Sequence, residues 1–295
     1  VIEMEESQLI KATQEHGTEL TEDLAKKCII RLSLDKRENY LTPPVGLAGK
    51  DIFPWSYNRE LSYLRRPVIR YQYDDGTVMC MFGFRSCIQA GIQLSDLLYS
   101  GRLRYVGRKI ETLLGKFEAI KGAAFNDEVR SFLAKIPIMR VWEHDVTIKS
   151  GGYFAADKDY GDIDVMAYDT SRDILYLIEC KNTNPAKNIK EMKTEMDEYL
   201  GRGDNPERDK KRALVLKHLR RHRWVTEHIN EVAKHIGVAV TPRVKSMMLT
   251  ATVIPTSYLK REKIPMSILN YPELKIKGVN LLDSCKEPDL SVLDI

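Results

Sequence analysis

The chain has no apolar run approaching the ~18–20 residues of a membrane span, and no basic, apolar and small-residue order of a secretory leader at its N-terminus. A cytoplasmic protein is therefore expected. Cysteine is scarce. Cys28, Cys80, Cys87, Cys180 and Cys285 are scattered, odd in number and without CxxC spacing, which argues against a disulfide framework and against a zinc knot. Internal repeats and low-complexity tracts are missing, so solenoid and disordered classes drop out. Excess charge is missing too: a net +4 does not by itself declare a nucleic-acid binder. The chain opens on Val1 instead of Met, and its first five residues do not read as the start of a domain. That leaves open a longer parent polypeptide, in which any activity assigned here is one of several.

What is present is an ordinary globular composition, 43% hydrophobic and 30% charged over 295 residues, enough for one large domain or two modest ones. The charge is unevenly spread. "RDKKRALVLKHLRRHR", Arg208 to Arg223, is strongly basic, while Glu3 to Glu6 and the tail from Glu287 to Asp294 lean acidic.

Residues 4–33 read as one or two helices, with Leu9, Leu20, Leu24, Cys28 and Ile29 at helical spacing and Gly17 as the break. "LTPPVGLAGKDIFPW" reads as loop. In "PVIRYQYDDGTVMCMFGF" the Asp75-Gly76 pair between β-prone runs predicts a hairpin. "RSCIQAGIQLSDLL" and "RKIETLLGKFEAI" read as helices. Residues 1–118, an α+β domain on this reading, show no constellation to which chemistry attaches, and a structural or partner-binding role is the default for them.

From Lys121 the pattern sharpens. "AAFNDEVRSFLAKI" places Phe125, Val129, Phe132, Leu133 and Ile136 on one helical face. "MRVWEHDVTI" reads as a strand, then come two apolar runs joined by a short polar turn, a charged helix from about Ala186 to Leu200, the basic helix, and "VKSMMLTATVI" as a further strand. This order predicts an α/β unit over 119–260, with 261–295 as a C-terminal extension.

The paired runs lie in "YGDIDVMAYDTSRDILYLIECKN", residues 160–182. Alternation along "ILYLIECK" puts Ile174, Tyr176, Ile178 and Cys180 on one face and Leu175, Leu177, Glu179 and Lys181 on the other. Both faces are apolar for most of their length, as in a central strand covered on both sides. A buried carboxylate costs several kcal/mol unless it meets a cation, a donor or water. Lys181 is one remedy for Glu179. A divalent metal shared with a carboxylate of the neighbouring strand, Asp164 or Asp162, is another. Hard oxygen ligands suit Mg²⁺, which retains waters, polarises a phosphoryl oxygen and presents a nucleophile, while a lysine beside it orients or deprotonates that water or neutralises developing charge. An internally paired charge cluster at a strand end is the structural alternative.

"GDIDVMA" followed about fifteen residues later by "IECK", with the preceding "KGAAFNDEV" helix, resembles the PD-(D/E)xK, or restriction-endonuclease-like, nuclease superfamily over roughly residues 119–260. The resemblance implies a mixed central sheet flanked by helices. It further implies Asp164 and Glu179 as metal ligands, the Cys180 backbone carbonyl as another, and Lys181 as the catalytic lysine. Ile163 stands where many members have proline, and Asn126 where an acid is common after the helix phenylalanine. Asn126 and Glu128 flank the apolar stripe on opposite sides, and of these Glu128 has the ligand chemistry, which makes it the opening-helix candidate. Asp162 reads as a solvated or supporting residue. The ExK triplets at Glu191 and Glu273 lack the strand context.

The resemblance also implies a Mg²⁺-dependent endonuclease acting on DNA, with Mn²⁺ able to substitute, in a setting of defence, restriction, repair or transposition. Paired sites in a homodimer, or further subunits of a larger assembly, are expected partners. In the basic segment Lys210, Lys211, Arg212, Lys217, Arg220, Arg221 and Arg223 are candidate phosphate contacts, against the bland alternative of a solvated helix face. His218 and His222, four apart, read as surface histidines for want of a third ligand. Trp142, His144 and Asp145 read as strand packing and edge solvation, and Trp224 as core. The competing function is a catalytically silent nuclease-like module that binds nucleic acid or scaffolds an assembly.

Overall fold

The computed structural model describes residues 1–16, 20–53, 60–99, 108–186, 189–201, 213–259, 262 and 264–294. Its contacts divide into two compact units, Val1–Leu114 and Gly115–Ile295. Among the described residues no helix is long and apolar enough to cross a membrane.

The first unit opens with strand β1 (Ile2–Glu5) and helices α1 (Glu6–His16) and α2 (Glu22–Arg31). Thr21 caps α2, its hydroxyl accepting from the Leu24 N–H at 3.3 Å, and Glu22 and Asp23 sit at the positive end of the helix dipole. Strands β2 (Ser33–Asp35), β3 (Val68–Gln72) and β4 (Val78–Phe82) complete a mixed sheet in the order β1-β4-β3-β2. The β3–β4 hairpin turns at Gly76, where φ is +86° and a side chain would be strained, and Asp75 accepts from the Thr77 N–H at 2.8 Å. The helices pack on this sheet through Ile10, Ala25, Ile29, Val68 and Cys80. Of the residues at helical spacing there, Leu24 and Cys28 are exposed, because the buried stripe runs one position further round through Ala25 and Ile29. Helix α3 (Phe84–Tyr99) follows.

Helix α4 (Arg108–Leu133) joins in one 26-residue element the two helical segments that the sequence suggested separately, since neither Gly115 nor Gly122 breaks it. The second unit then builds a mixed five-stranded sheet in the order β11-β10-β9-β8-β5, from β5 (Met139–Val141), β8 (Val165–Asp169), β9 (Ile174–Lys181), β10 (Arg243–Thr250) and β11 (Ser267–Asn270). β8 and β9 are antiparallel, Val165 opposite Ile178, whereas β9, β10 and β11 run parallel. The single strand expected over "MRVWEHDVTI" is two: β5 pairs with β8, and β6 (Val146–Ile148) pairs instead with β7 (Gly161–Ile163) in a separate ribbon. The chain leaves that ribbon and enters the main sheet at Asp164.

Helices α5 (Ile189–Leu200), α6 (Leu214–Glu227) and α7 (Ile229–Ile236) form the crossover between β9 and β10. Short helices α8 (Thr256–Leu259), α9 (Tyr271–Lys277) and α10 (Val279–Asp283) follow. Residues 261–295 thus supply the β11 edge strand and part of the core. β9 is central, as its two-sided apolar pattern predicts. Ile174, Tyr176, Ile178 and Cys180 pack with Phe125, Val129 and Leu133 of α4 and with Leu274 and Leu282. Leu175 and Leu177 pack on the other side with Trp224 and Val225 of α6 and with Val232 and Ile236 of α7. A third cluster, with Tyr199, Leu219 and Met248 in it, lies around β10. Each such large apolar side chain contributes about 1.5–3 kcal/mol on burial. The carboxylate that breaks the pattern is therefore held on a rigid strand.

Candidate functional site

The far end of β9 delivers Glu179 and Lys181 to the α6 side of the sheet. Glu179 is 5% exposed. Both of its oxygens carry a cation: Lys181 Nζ stands 2.7 Å from Oε1, and Arg221 Nη1 on α6 donates to Oε2. The His218 ring is also near, Nδ1 lying 3.6 Å from Oε2 while Nε2 contacts the Leu177 carbonyl at 3.2 Å. Burial acts to raise the Glu179 carboxyl, but His218, Arg221 and Lys181 around it outweigh burial and hold it well below the usual carboxylate range. Lys181 is pulled down by burial and up by Glu179 and Asp164, with a net rise.

Asp164 reaches this place from the junction of β7 and β8. Its Oδ2 accepts from the Cys180 N–H at 2.8 Å. Burial, and next the Glu179 charge, push Asp164 up to about 6, against the pull of Lys181 and the Cys180 N–H. Arg130 of α4 fixes the junction by donating to the Asp164 carbonyl at 2.5 Å while bound to Asp145. Two carboxylates and a lysine thus converge, and of the two carboxylates Asp164 is the one that burial holds above the usual range. The Cys180 thiol lies in the core on the opposite face, with burial raising its pKa, so Cys180 could offer a cation only its backbone. Among the described residues no three His, Cys, Asp or Glu side chains form a cation cage. The donor set to test is a two-carboxylate one, and Mg²⁺ commonly takes only one or two carboxylates and completes its shell with water and substrate phosphate. By that chemistry Asp164 and Glu179 fit a hard cation.

Glu128 is not brought into this group. Its side chain is 56% exposed and lies 3.8 Å from Lys275 Nζ, because a 100° step per residue carries it off the Phe125–Val129–Leu133 stripe, and Asn126 is buried. Asp162 is exposed on β7, beside Thr147 of β6. Lys210, Lys211 and Arg212 lie outside the described residues. Lys217 and Arg220 are exposed on α6. Arg223 is bound to Asp294 and to the Leu290 carbonyl, both at 2.9 Å. Arg221 differs from the expectation of a phosphate contact: it is 7% exposed and turned inward onto Glu179.

His218 and His222 are buried, not on the surface. His222 Nδ1 meets Ser246 Oγ of β10 at 2.8 Å, and burial with the neighbouring His218 lowers its pKa to about 4. Trp224 is core and stacks on His228 with ring centroids 4.4 Å apart. Trp142 packs under Arg140 and donates to the Tyr153 hydroxyl at 2.7 Å, and Asp145 is the Arg130 partner. What the sequence reading missed is the inward placement of Arg221 and His218, read there as a phosphate contact and a surface histidine. For His218 the signal was present: Val215, His218, Leu219, His222 and Val225 share the helical stripe that α6 buries, with Arg221 at its edge.

A protein-family model described as "Anti-phage protein Upx-like" matches residues 1–267. The chain belongs to the Upx-like family. The match takes in the first unit, strands β5 to β10 of the second and the whole Asp164–Glu179–Lys181 group, so this group is part of a Upx-like anti-phage protein. No curated protein and no solved structure matches the chain.

Proposed function

We propose that this Upx-like protein is a metal-dependent endonuclease that hydrolyses phosphodiester bonds of DNA, on a restriction-endonuclease-like sheet, as its part in anti-phage defence. The observation that carries the reading is the convergence of Asp164 with Glu179 and Lys181 at the end of a buried central strand. Asp164 and Glu179, with the Cys180 carbonyl, would hold Mg²⁺, or Mn²⁺ in its place. The bound ion supplies Lewis-acid polarisation of a phosphoryl oxygen and an activated water. Lys181, kept cationic by Glu179 and Asp164, neutralises charge developing on the phosphate. Lys217 and Arg220, exposed on α6, attract the phosphate backbone without reading sequence. Cutting both strands calls for two such sites, and a homodimer or a larger assembly provides them.

The second reading is a nuclease-like module without cleavage that binds nucleic acid. The pairing of both Glu179 oxygens with resident cations favours it. Cleavage of supercoiled plasmid, single-stranded DNA and RNA, with Mg²⁺, Mn²⁺ or EDTA, separates the two. Under the nuclease reading, metal-dependent nicking falls below detection in Glu179→Ala and in Lys181→Ala. Cleavage that survives both substitutions, or binding without cleavage by the native chain, favours the second reading.

A further inference from the structure

Arg221 takes no part in the hydrolytic scheme, yet three features of the fold hold it in the site. Its Nη1 donates to Glu179 Oε2, and its Nε donates to the Tyr160 carbonyl at 3.2 Å. Its guanidinium lies over Gly161, where φ is +87° and an added Cβ would stand 3.5 Å from Nε. A guanidinium stays cationic at any working pH, so this contact cannot be removed by titration. It can be removed by exchange. With Lys181 on Oε1 at 2.7 Å, Oε2 is the remaining coordinating atom of Glu179, and Arg221 holds it. A divalent cation and this guanidinium therefore compete for the same lone pairs.

The alternative partner for Arg221 is also close at hand in the sequence. Lys217 and Arg220, on the same helix, are exposed and attract a polyanion. A phosphodiester oxygen offers a guanidinium the same charge-assisted hydrogen bonds that Glu179 offers it.

Building on the metal-dependent reading above, we propose that Arg221 is a resident competitor that blocks the metal side of Glu179 until nucleic-acid phosphate draws the guanidinium away, so that substrate binding and metal loading are coupled. By linkage, the same coupling makes bound metal tighten nucleic-acid binding.

The test is Mn²⁺ binding followed by the loss of the free-ion electron paramagnetic resonance signal. It uses the native chain, Arg221→Gln, Glu179→Gln and the double variant, each with and without a cleavage-resistant phosphorothioate duplex. Without duplex, Arg221→Gln is expected to bind Mn²⁺ at least tenfold more tightly than the native chain, and the double variant to lose that gain. Duplex is expected to tighten Mn²⁺ binding in the native chain and to change it little in Arg221→Gln. If native Mn²⁺ binding depends on Glu179 but Arg221→Gln binds no more tightly, the competitor is refuted while the metal site stands. If no chain binds Mn²⁺ in a Glu179-dependent way, the metal site itself is refuted, and the competitor with it.

Should Arg221→Gln fail to fold, the guanidinium Nη–H resonances of Arg221 in the native chain, which report the Nη1 contact with Glu179 and are assigned through Arg221→Lys, decide the matter. Saturating Mg²⁺ plus duplex is expected to shift them. Unchanged Nη–H resonances overturn the proposal.

Discussion

Strand β9 has a buried carboxylate–arginine cluster at each end, and the two are built on different plans. At its start Asp169, 0% exposed, accepts from the Ser171 N–H at 2.8 Å, the Ser171 hydroxyl at 2.7 Å and Arg172 Nε at 2.7 Å. All of these donors lie within three residues. Burial acts against the Asp169 charge, and the Ser171 and Arg172 hydrogen bonds outweigh it, so its pKa is lowered. Arg172 passes the charge on to Asp283, which also accepts from the Tyr176 hydroxyl at 3.0 Å. At the other end Glu179 depends on an arginine 42 residues away, and Asp164 is left with one N–H and a pKa of about 6. The first cluster is a closed staple of the hairpin. The second joins groups far apart in sequence and leaves Asp164, beside the fully paired Glu179, above the usual carboxylate range; perturbed carboxylates of this kind cluster at functional sites.

Breaking the staple should have the largest effect on folding. Asp169→Ala strips a fully buried carboxylate from Arg172 and three hydrogen bonds from the turn, and is expected to lower stability by about 3 kcal/mol in urea unfolding. Under the nuclease reading, cleavage per folded molecule should stay unchanged. A loss of cleavage at full folding would erase the contrast between the two ends.

An acid limb comes next. His222 has a folded pKa of about 4, below the ~6.5 of an unfolded histidine. Between those values the unfolded chain binds the proton and the folded chain does not, so stability falls as pH drops from 6.5 to 4, by roughly 3 kcal/mol at the lower end. In His222→Asn that share of the loss should vanish from unfolding curves measured across this range.

Asp164 slopes the other way. Its folded pKa, about 6, lies above the ~3.9 of an unfolded aspartate, so the folded chain holds its proton longer and stability declines as pH rises from about 4 to 6. In metal-free buffer at pH 7, Asp164→Asn is expected to be more stable than the native chain by about 1–3 kcal/mol, with the gain shrinking below pH 6. Under the nuclease reading it loses cleavage as well. Stabilisation at Asp164 beside destabilisation at Asp169 would sharpen the comparison; destabilisation at both would dissolve it.

The smallest effect on stability belongs to Lys217→Ala and Arg220→Ala. Both side chains are exposed, so unfolding should shift by no more than about 0.5 kcal/mol. Under the proposed function, affinity for DNA should fall, and the slope of log affinity against log salt should shrink by about 1 per residue that contacts a phosphate.

Legibility in the sequence followed the range of the interaction. The β3–β4 hairpin was readable from Asp75-Gly76, because a short turn is set by its own few residues, here Asp74 and Asp75 followed by Gly76 at positive φ. The Phe125–Val129–Leu133 stripe was readable from its spacing, and so was the central place of β9 from its two apolar faces. The division of "MRVWEHDVTI" between two sheets was not, because β5 and β6 are separated by where β7 and β8 run and not by any local break signal. The inward turn of α6 was hidden in a different way. A run of arginines and histidines looks solvated by composition, yet His218, Arg221 and His222 fall on the buried stripe and are admitted there because Leu177, Glu179 and Ser246 supply their partners.

By itself the sequence determined the β3–β4 hairpin, the apolar stripe of α4 and which residues of β9 face the same way, since turn chemistry, alternation and helical periodicity are properties of a few consecutive residues. It also determined that a carboxylate and a lysine stand together at the end of a buried strand. Only the tertiary structure decided what that carboxylate meets. The parallel crossover from β9 to β10 carries α6 back across the sheet, and the junction of ribbon and sheet at Asp164 brings a second carboxylate to the same place. The charge balance there is set by groups that no local pattern ties together, because electrostatics depends on distance in space and on burial, and both are fixed only when the chain has closed on itself.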